Sequence, residues 1–145
     1  MKEIKVAENK TLKLTNVLSR EIHPEEMASL PVVLTQMHNF IKSNNAQPIG
    51  PIVQAMVVGE DRQMHLYMMQ QATQFIGQME QDYHMDAVLR VKNCLYAHYT
   101  GPMPESQLAS YKLQVHAFEN EQKLTGTSYT CLLYTSDAAD DLLCV

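Results

Sequence analysis

A chain of 145 residues is long enough for one domain with a sizeable core and too short for two ordinary ones. With 46% apolar and 19% charged residues, 5 Gly and 6 Pro, it is neither disordered nor collagen-like. A formal net charge of −5 without any concentration of Lys and Arg argues against direct nucleic-acid binding. No apolar run approaches the roughly 20 residues that cross a bilayer, and the first residues lack the apolar core of a signal peptide, so a cytoplasmic location is expected.

Leu12, Leu14, Leu18 and Ile22 share one face under period-two alternation, which predicts a half-buried strand over 12–22. His23-Pro24-Glu25-Glu26 then starts a helix, with Pro at the first position and acids in the first turn. Met27, Leu30, Leu34, Met37 and Ile41 continue it as one apolar stripe. Pro31 leaves two forms open: a kinked helix, or a helix capped by Ser29 that begins near Leu30. Residues 53–58 and 64–69 are strand-like around Gly59-Glu60-Asp61-Arg62, a hairpin signal. The Gln- and Met-rich stretch 70–86 is either an irregular connection or a short strand and turn. Residues 88–99 form the clearest strand, with Leu89, Val91, Leu95, Ala97 and Tyr99 on one face. Gly101-Pro102-Met103-Pro104 breaks it, and a second helix is expected over 105–122 with the stripe Leu108, Tyr111, Val115 and Phe118.

The two helices resemble each other. Gln36-Met37-His38-Asn39-Phe40 matches Gln114-Val115-His116-Ala117-Phe118 at an offset of 78, which puts His38 and His116 at equivalent positions. The preceding Asn16-Val17-Leu18 matches Asn93-Cys94-Leu95 at 77, and Gly50 matches Gly126 at 76. A period this long is no solenoid. It predicts duplicated strand-helix-strand-strand half-domains, repeats of about 12–69 and 88–130, with pseudo-two-fold symmetry. The expected fold is α+β: two helices on one side of an antiparallel sheet, and a concave pocket on the other.

The segment Cys131-Leu132-Leu133-Tyr134-Thr135-Ser136-Asp137-Ala138-Ala139-Asp140-Asp141 resembles an in-frame translation of sequencing-adapter DNA, in which TGT CTC TTA TAC ACA TCT encodes the first six residues. On this reading 1–130 is a single domain, 131–145 is an artefactual tail, and the C-terminal strand is truncated. Of the 3 Cys, Cys131 and Cys144 then fall in the tail. The remaining Cys94 supports neither a disulfide framework nor a cysteine zinc site.

Asn93-Cys94-Leu95-Tyr96-Ala97-His98-Tyr99-Thr100-Gly101-Pro102 is similar to the strand-to-helix junction of the GyrI-like, or bacterial transcription-activator effector-binding, domain family. There a strand ends in an aromatic-x-Gly-Pro-like turn before a helix with apolar residues at the spacing of Leu108, Tyr111 and Val115. The first half agrees in its His23-Pro24-Glu25-Glu26 helix start and in Pro48-Ile49-Gly50-Pro51 before the next strand, so the resemblance spans roughly residues 5–130. It implies two strand-helix-strand-strand repeats around a pocket for hydrophobic, often cationic, small molecules. It also implies a role in drug or effector sensing or sequestration. Some stand-alone relatives counter gyrase inhibition or toxins, and some hydrolyse reactive cyclopropane-bearing compounds; the heme-binding SOUL proteins are more distant. With about ten residues before the first strand, a helix-turn-helix is not expected, which points to the stand-alone class. Family pockets carry a buried acid on the last strand, where this chain meets the adapter-like segment.

The expected ligand-binding residues are Tyr96 first, then His98, Tyr67, Met56, Phe75 and Tyr83. Aromatic rings offer apolar area and attract cations over their faces, and the 10 Met suit a pocket that accepts varied shapes. Each of these residues also has an ordinary reading as core packing. No metal or cofactor is expected, since none of the 6 His lies two or four residues from another. No nucleophile elbow or phosphate loop occurs, and no catalytic residue is assigned. A hydrolase acting on electrophiles is the alternative, with Glu80, Asp82 and Asp86 as candidate acids. The expected partner is a hydrophobic or cationic small molecule, with DNA gyrase or a transcription regulator as the protein alternative.

Overall fold

The computed structural model describes residues 6–80, 82–100, 107–124, 126–132 and 138–144. Its elements run β1 (Val6–Ile22), a 3-10 helix (Pro24–Ser29), α1 (Leu30–Ser43), β2 (Pro48–Val58), β3 (Met64–Ala72), β4 (His84–Thr100), α2 (Gln107–Glu119), β5 (Ser128–Leu132) and β6 (Ala138–Cys144). The fold is α+β. The strands close into an antiparallel barrel in the order β1-β3-β2-β5-β6-β4. Closure turns the sheet face away from the helices into an interior, and β6 fills the place beside β4 and β5.

Each half runs strand, helix, strand, strand, and exchanging the halves maps the ring onto itself in reverse order. The registers obey the same two-fold. Leu12 faces Val91 and Leu14 faces Leu89 around the central pair Lys13–Arg90. Val53 faces Cys131 and Ala55 faces Tyr129 around Gln54–Thr130.

Asn16 and Asn93 sit in mid-strand with left-handed φ of 49° and 60°. Asn reaches this region at low cost because its short amide bonds the local backbone. A left-handed residue interrupts the pleat, so side chains before and after it face opposite ways. Leu12 and Leu14 therefore point into the barrel, while Leu18 and Ile22 pack outside against α1. Leu89 and Val91 likewise line the interior, while Leu95 and Ala97 pack against α2. Single-face strands, as strict alternation predicts, are corrected at both asparagines.

The Pro31 alternatives resolve in favour of the later start. A 3-10 turn covers Pro24–Ser29, closed by Glu26 N–H to His23 O at 2.8 Å and His23 N–H to Glu26 Oε1 at 3.2 Å; α1 begins at Leu30 with Pro31 in its first turn. Proline is tolerated there because its missing N–H has no intrahelical partner. Both helices end alike. Ala46 N–H bonds Ile41 O at 3.2 Å past left-handed Asn45, and Gln122 N–H bonds Ala117 O at 2.8 Å past left-handed Glu121. These are Schellman ends, and they lie 76 residues apart, as do left-handed Gly50 and Gly126.

Equivalent helix positions are therefore 76 apart, not 78. Met37 corresponds to Leu113 and Ile41 to Ala117, and all four are buried. The Gln-x-His-x-Phe match is out of step by two residues, which corrects the pairing of His38 with His116. His38 Nε2 meets the buried Gln70 Oε1 at 3.1 Å, whereas His116 Nε2 meets Glu8 across to β1. The expected α2 stripe is corrected for the same reason: Tyr111, Val115 and Phe118 are exposed, and Leu113 and Ala117 take the inner face.

Candidate functional site

The barrel interior is lined by Leu12, Leu14 and Val17 of β1, Val53 and Ala55 of β2, Cys94 of β4 and Tyr129 of β5, all buried. Tyr67 and Met69 of β3 and Leu89, Val91 and Tyr96 of β4 join them but stay only half-buried, so they keep surface open to solvent. The lining is aliphatic, with three tyrosines and the buried Cys94 thiol.

Polar groups gather where β1 ends and β3 begins. Beyond Asn16 the odd residues of β1 follow Val17 onto the inner side, which brings Glu21 opposite Tyr67. Burial first, then the Glu21 carboxylate beside it, raises the Tyr67 hydroxyl above its ordinary value of 10.0. Glu21 also meets His65 Nδ1 at 3.3 Å and His23 Nδ1 at 3.4 Å. His65 Nε2 lies 3.0 Å from Asp61 Oδ2 in the β2–β3 turn. The Gln63 N–H at 2.9 Å, and then His65, hold the Asp61 carboxyl below its usual range. Both His65 nitrogens thus face carboxylate oxygens. Among the described residues no set of three His, Cys, Asp or Glu could hold a metal ion.

The expected ligand residues divide. Tyr96 and Tyr67 both line the interior. Met56 alternates with Val53 and Ala55, which places it on the outer side of β2. Phe75 is exposed on the β3–β4 connection, outside the barrel. Tyr83 packs on the outer α1 cluster, its ring centroid 4.7 Å from that of Phe40. His98 stands on β4, and its side chain lies outside the described residues. Of the candidate acids, Asp86 meets His84 at 3.0 Å and Asp82 lines a polar cleft of about 300 Å³ with Arg20, Glu21, His23, Glu25 and Glu26; neither these nor Glu80 belong to the apolar lining. Glu21 is the residue the sequence reading missed. The signal for it was Asn16: a left-handed switch there moves the odd residues of β1 inward. The last strand, β6, carries Asp140 and Asp141, whose side chains lie outside the described residues.

No family model matches the chain, and no curated protein matches it in sequence. Solved structures do match in shape. EcmrR, seen by cryo-EM in an EcmrR–DNA complex, is 12% identical over 97% of this chain with a TM-score of 0.71. This chain spans 56% of the length of EcmrR. SAV2435 bound to tetraphenylphosphonium is 12% identical, with 98% of this chain and 93% of that one covered and a TM-score of 0.53. A hydrolase from Listeria innocua is 9% identical, with 97% and 90% covered and a TM-score of 0.57. At these identities the likeness shows the shared fold alone. No helix among the described residues is long and apolar enough to cross a membrane.

Proposed function

We propose that the chain is a GyrI-like effector-binding domain that takes a hydrophobic cation into the open end of its barrel, for sensing or sequestration. The observation that carries this reading is the join between apolar lining and acid. Tyr67, Met69 and Tyr96 stay half-buried along the barrel lining, and Glu21 stands directly opposite Tyr67 near the end of β1. Apolar area removed from water contributes roughly 25 cal/mol per Å². A tyrosine face adds about 0.5–2 kcal/mol for a cation, and the Glu21 carboxylate supplies the opposite charge. The same fold in a protein bound to tetraphenylphosphonium supports the choice of ligand class.

Calorimetry with tetraphenylphosphonium tests the reading. Saturable binding is expected, weakened about tenfold or more by Tyr96→Ala and by Glu21→Gln. Absence of binding, or binding indifferent to both changes, would sink it. A second reading, hydrolysis of an electrophile, is favoured by one contact: His65, oriented by Asp61 at 3.0 Å, faces Glu21 beside the same lining. Mass detection of more than one equivalent of product, lost in His65→Ala, would replace sequestration with turnover.

A further inference from the structure

α2 turns an apolar face away from the barrel. Tyr111, Val115 and Phe118 are 63%, 51% and 85% exposed, at i, i+4 and i+7 along one side of the helix. Among the side chains described, its inward face rests on Leu113 and Ala117. Single exposed apolar side chains are ordinary, but an aligned stripe marks a contact surface. α1 has no counterpart, since Thr35, Gln36, Asn39 and Lys42 are exposed there.

We propose that this stripe binds a second copy of the chain, with two α2 helices packed antiparallel about a two-fold axis near Val115. The helix is complementary to itself in that arrangement. Lys112 and Glu119, both exposed, stand two turns apart on one flank of the stripe. Antiparallel pairing sets Lys112 of each copy beside Glu119 of the other. It also sets Tyr111 of each copy against Phe118 of the other, on either side of Val115. The two rings alone offer roughly 300 Å² per copy. With the flanking turns a pair would bury about 1,000 Å² in all, near the lower end of specific interfaces, so the dimer is weak and concentration-dependent.

Sedimentation velocity on the full chain, from about 1 to about 200 μM, tests this. The wild type should pass from monomer to dimer within that range. Phe118→Glu should stay monomeric throughout and melt like the wild type, because the ring is solvent-exposed in the single copy. Lys112→Glu should weaken the dimer about tenfold by setting like charges together, and Lys112→Glu/Glu119→Lys should recover it to within about twofold. A wild type that is monomeric at every concentration, self-association unchanged by Phe118→Glu, or a charge swap that fails to restore the dimer would each overturn the proposal.

Discussion

α1 buries Val33, Met37, Phe40 and Ile41 in a cluster that continues through Leu18, Ile22, Met68 and Ala72, while α2 buries Leu113 and Ala117 against Leu95 and Ala97. The two helices end in the same cap, yet among the side chains described one is anchored by large residues and the other by a leucine and an alanine. The contrast teaches that a shared backbone does not fix how firmly each half is held. Tertiary packing of an apolar face supplies most helix stability in proteins, and among the described residues the first half has more of it.

Core truncation should show the largest effect. Met37→Ala is expected to cost about 2–5 kcal/mol in denaturant unfolding, from lost transfer energy and the cavity left behind. The equivalent Leu113→Ala should fall near the lower end of that range, because its small neighbours let the site collapse. Phe118→Ala should stay within about 0.5 kcal/mol when measured below the concentration of self-association. Equal costs for Met37→Ala and Leu113→Ala would break the comparison.

The buried polar centre of the first half comes next. Gln70 accepts from His38 and donates to Ile49 O at 2.8 Å and Gln71 O at 3.1 Å, which holds α1 and the start of β2 to β3. Gln70→Ala strands these partners and should cost about 1–3 kcal/mol, read in the same unfolding experiment. The helix ends should separate by less. Glu121 occupies a left-handed position that Asn45 fills in the first half. Glu121→Gly should stabilise by about 0.4–1 kcal/mol, and Asn45→Gly by less, since Asn already tolerates that conformation.

The smallest effect concerns the first half's connection. The His23 N–H first, and then Arg20 at 2.7 Å, hold the Glu26 carboxyl below its ordinary value of 4.5. A carboxyl depressed by folding contributes stability that is present above its unfolded value and lost as pH falls through its folded one. Glu26→Gln should therefore lower Tm slightly at pH 7, with the gap from wild type closing below about pH 4. A gap that persists at pH 3 would assign the loss to something other than charge.

Much of the architecture was legible in the residues. Both helices, the hairpin around Gly59, the strand through residues 88–99 and the order of strand, helix, strand, strand all follow from periodicity and turn chemistry. The Asn-x-Leu and glycine matches mark positions that coincide in the fold, because left-handed backbone demands particular residues. The Gln-x-His-x-Phe match misled, since sequence likeness between amphipathic helices does not report rotation about the helix axis. In the candidate site Tyr67 and Tyr96 were readable, whereas Met56, Phe75 and Tyr83 were aromatic or soft residues in plausible places that the fold turns outward.

The sequence by itself determined the element types, the order of elements in the two halves and tyrosines on the strands at Tyr67 and Tyr96, because these rest on local propensity and spacing. Only the tertiary structure decided that the sheet closes, that Asn16 and Asn93 swap the faces of their strands, that Glu21 meets Tyr67, and that α2 presents Phe118 to solvent. Each of those depends on which distant strand or helix lies alongside, and a residue's own neighbours in the chain carry no information about that.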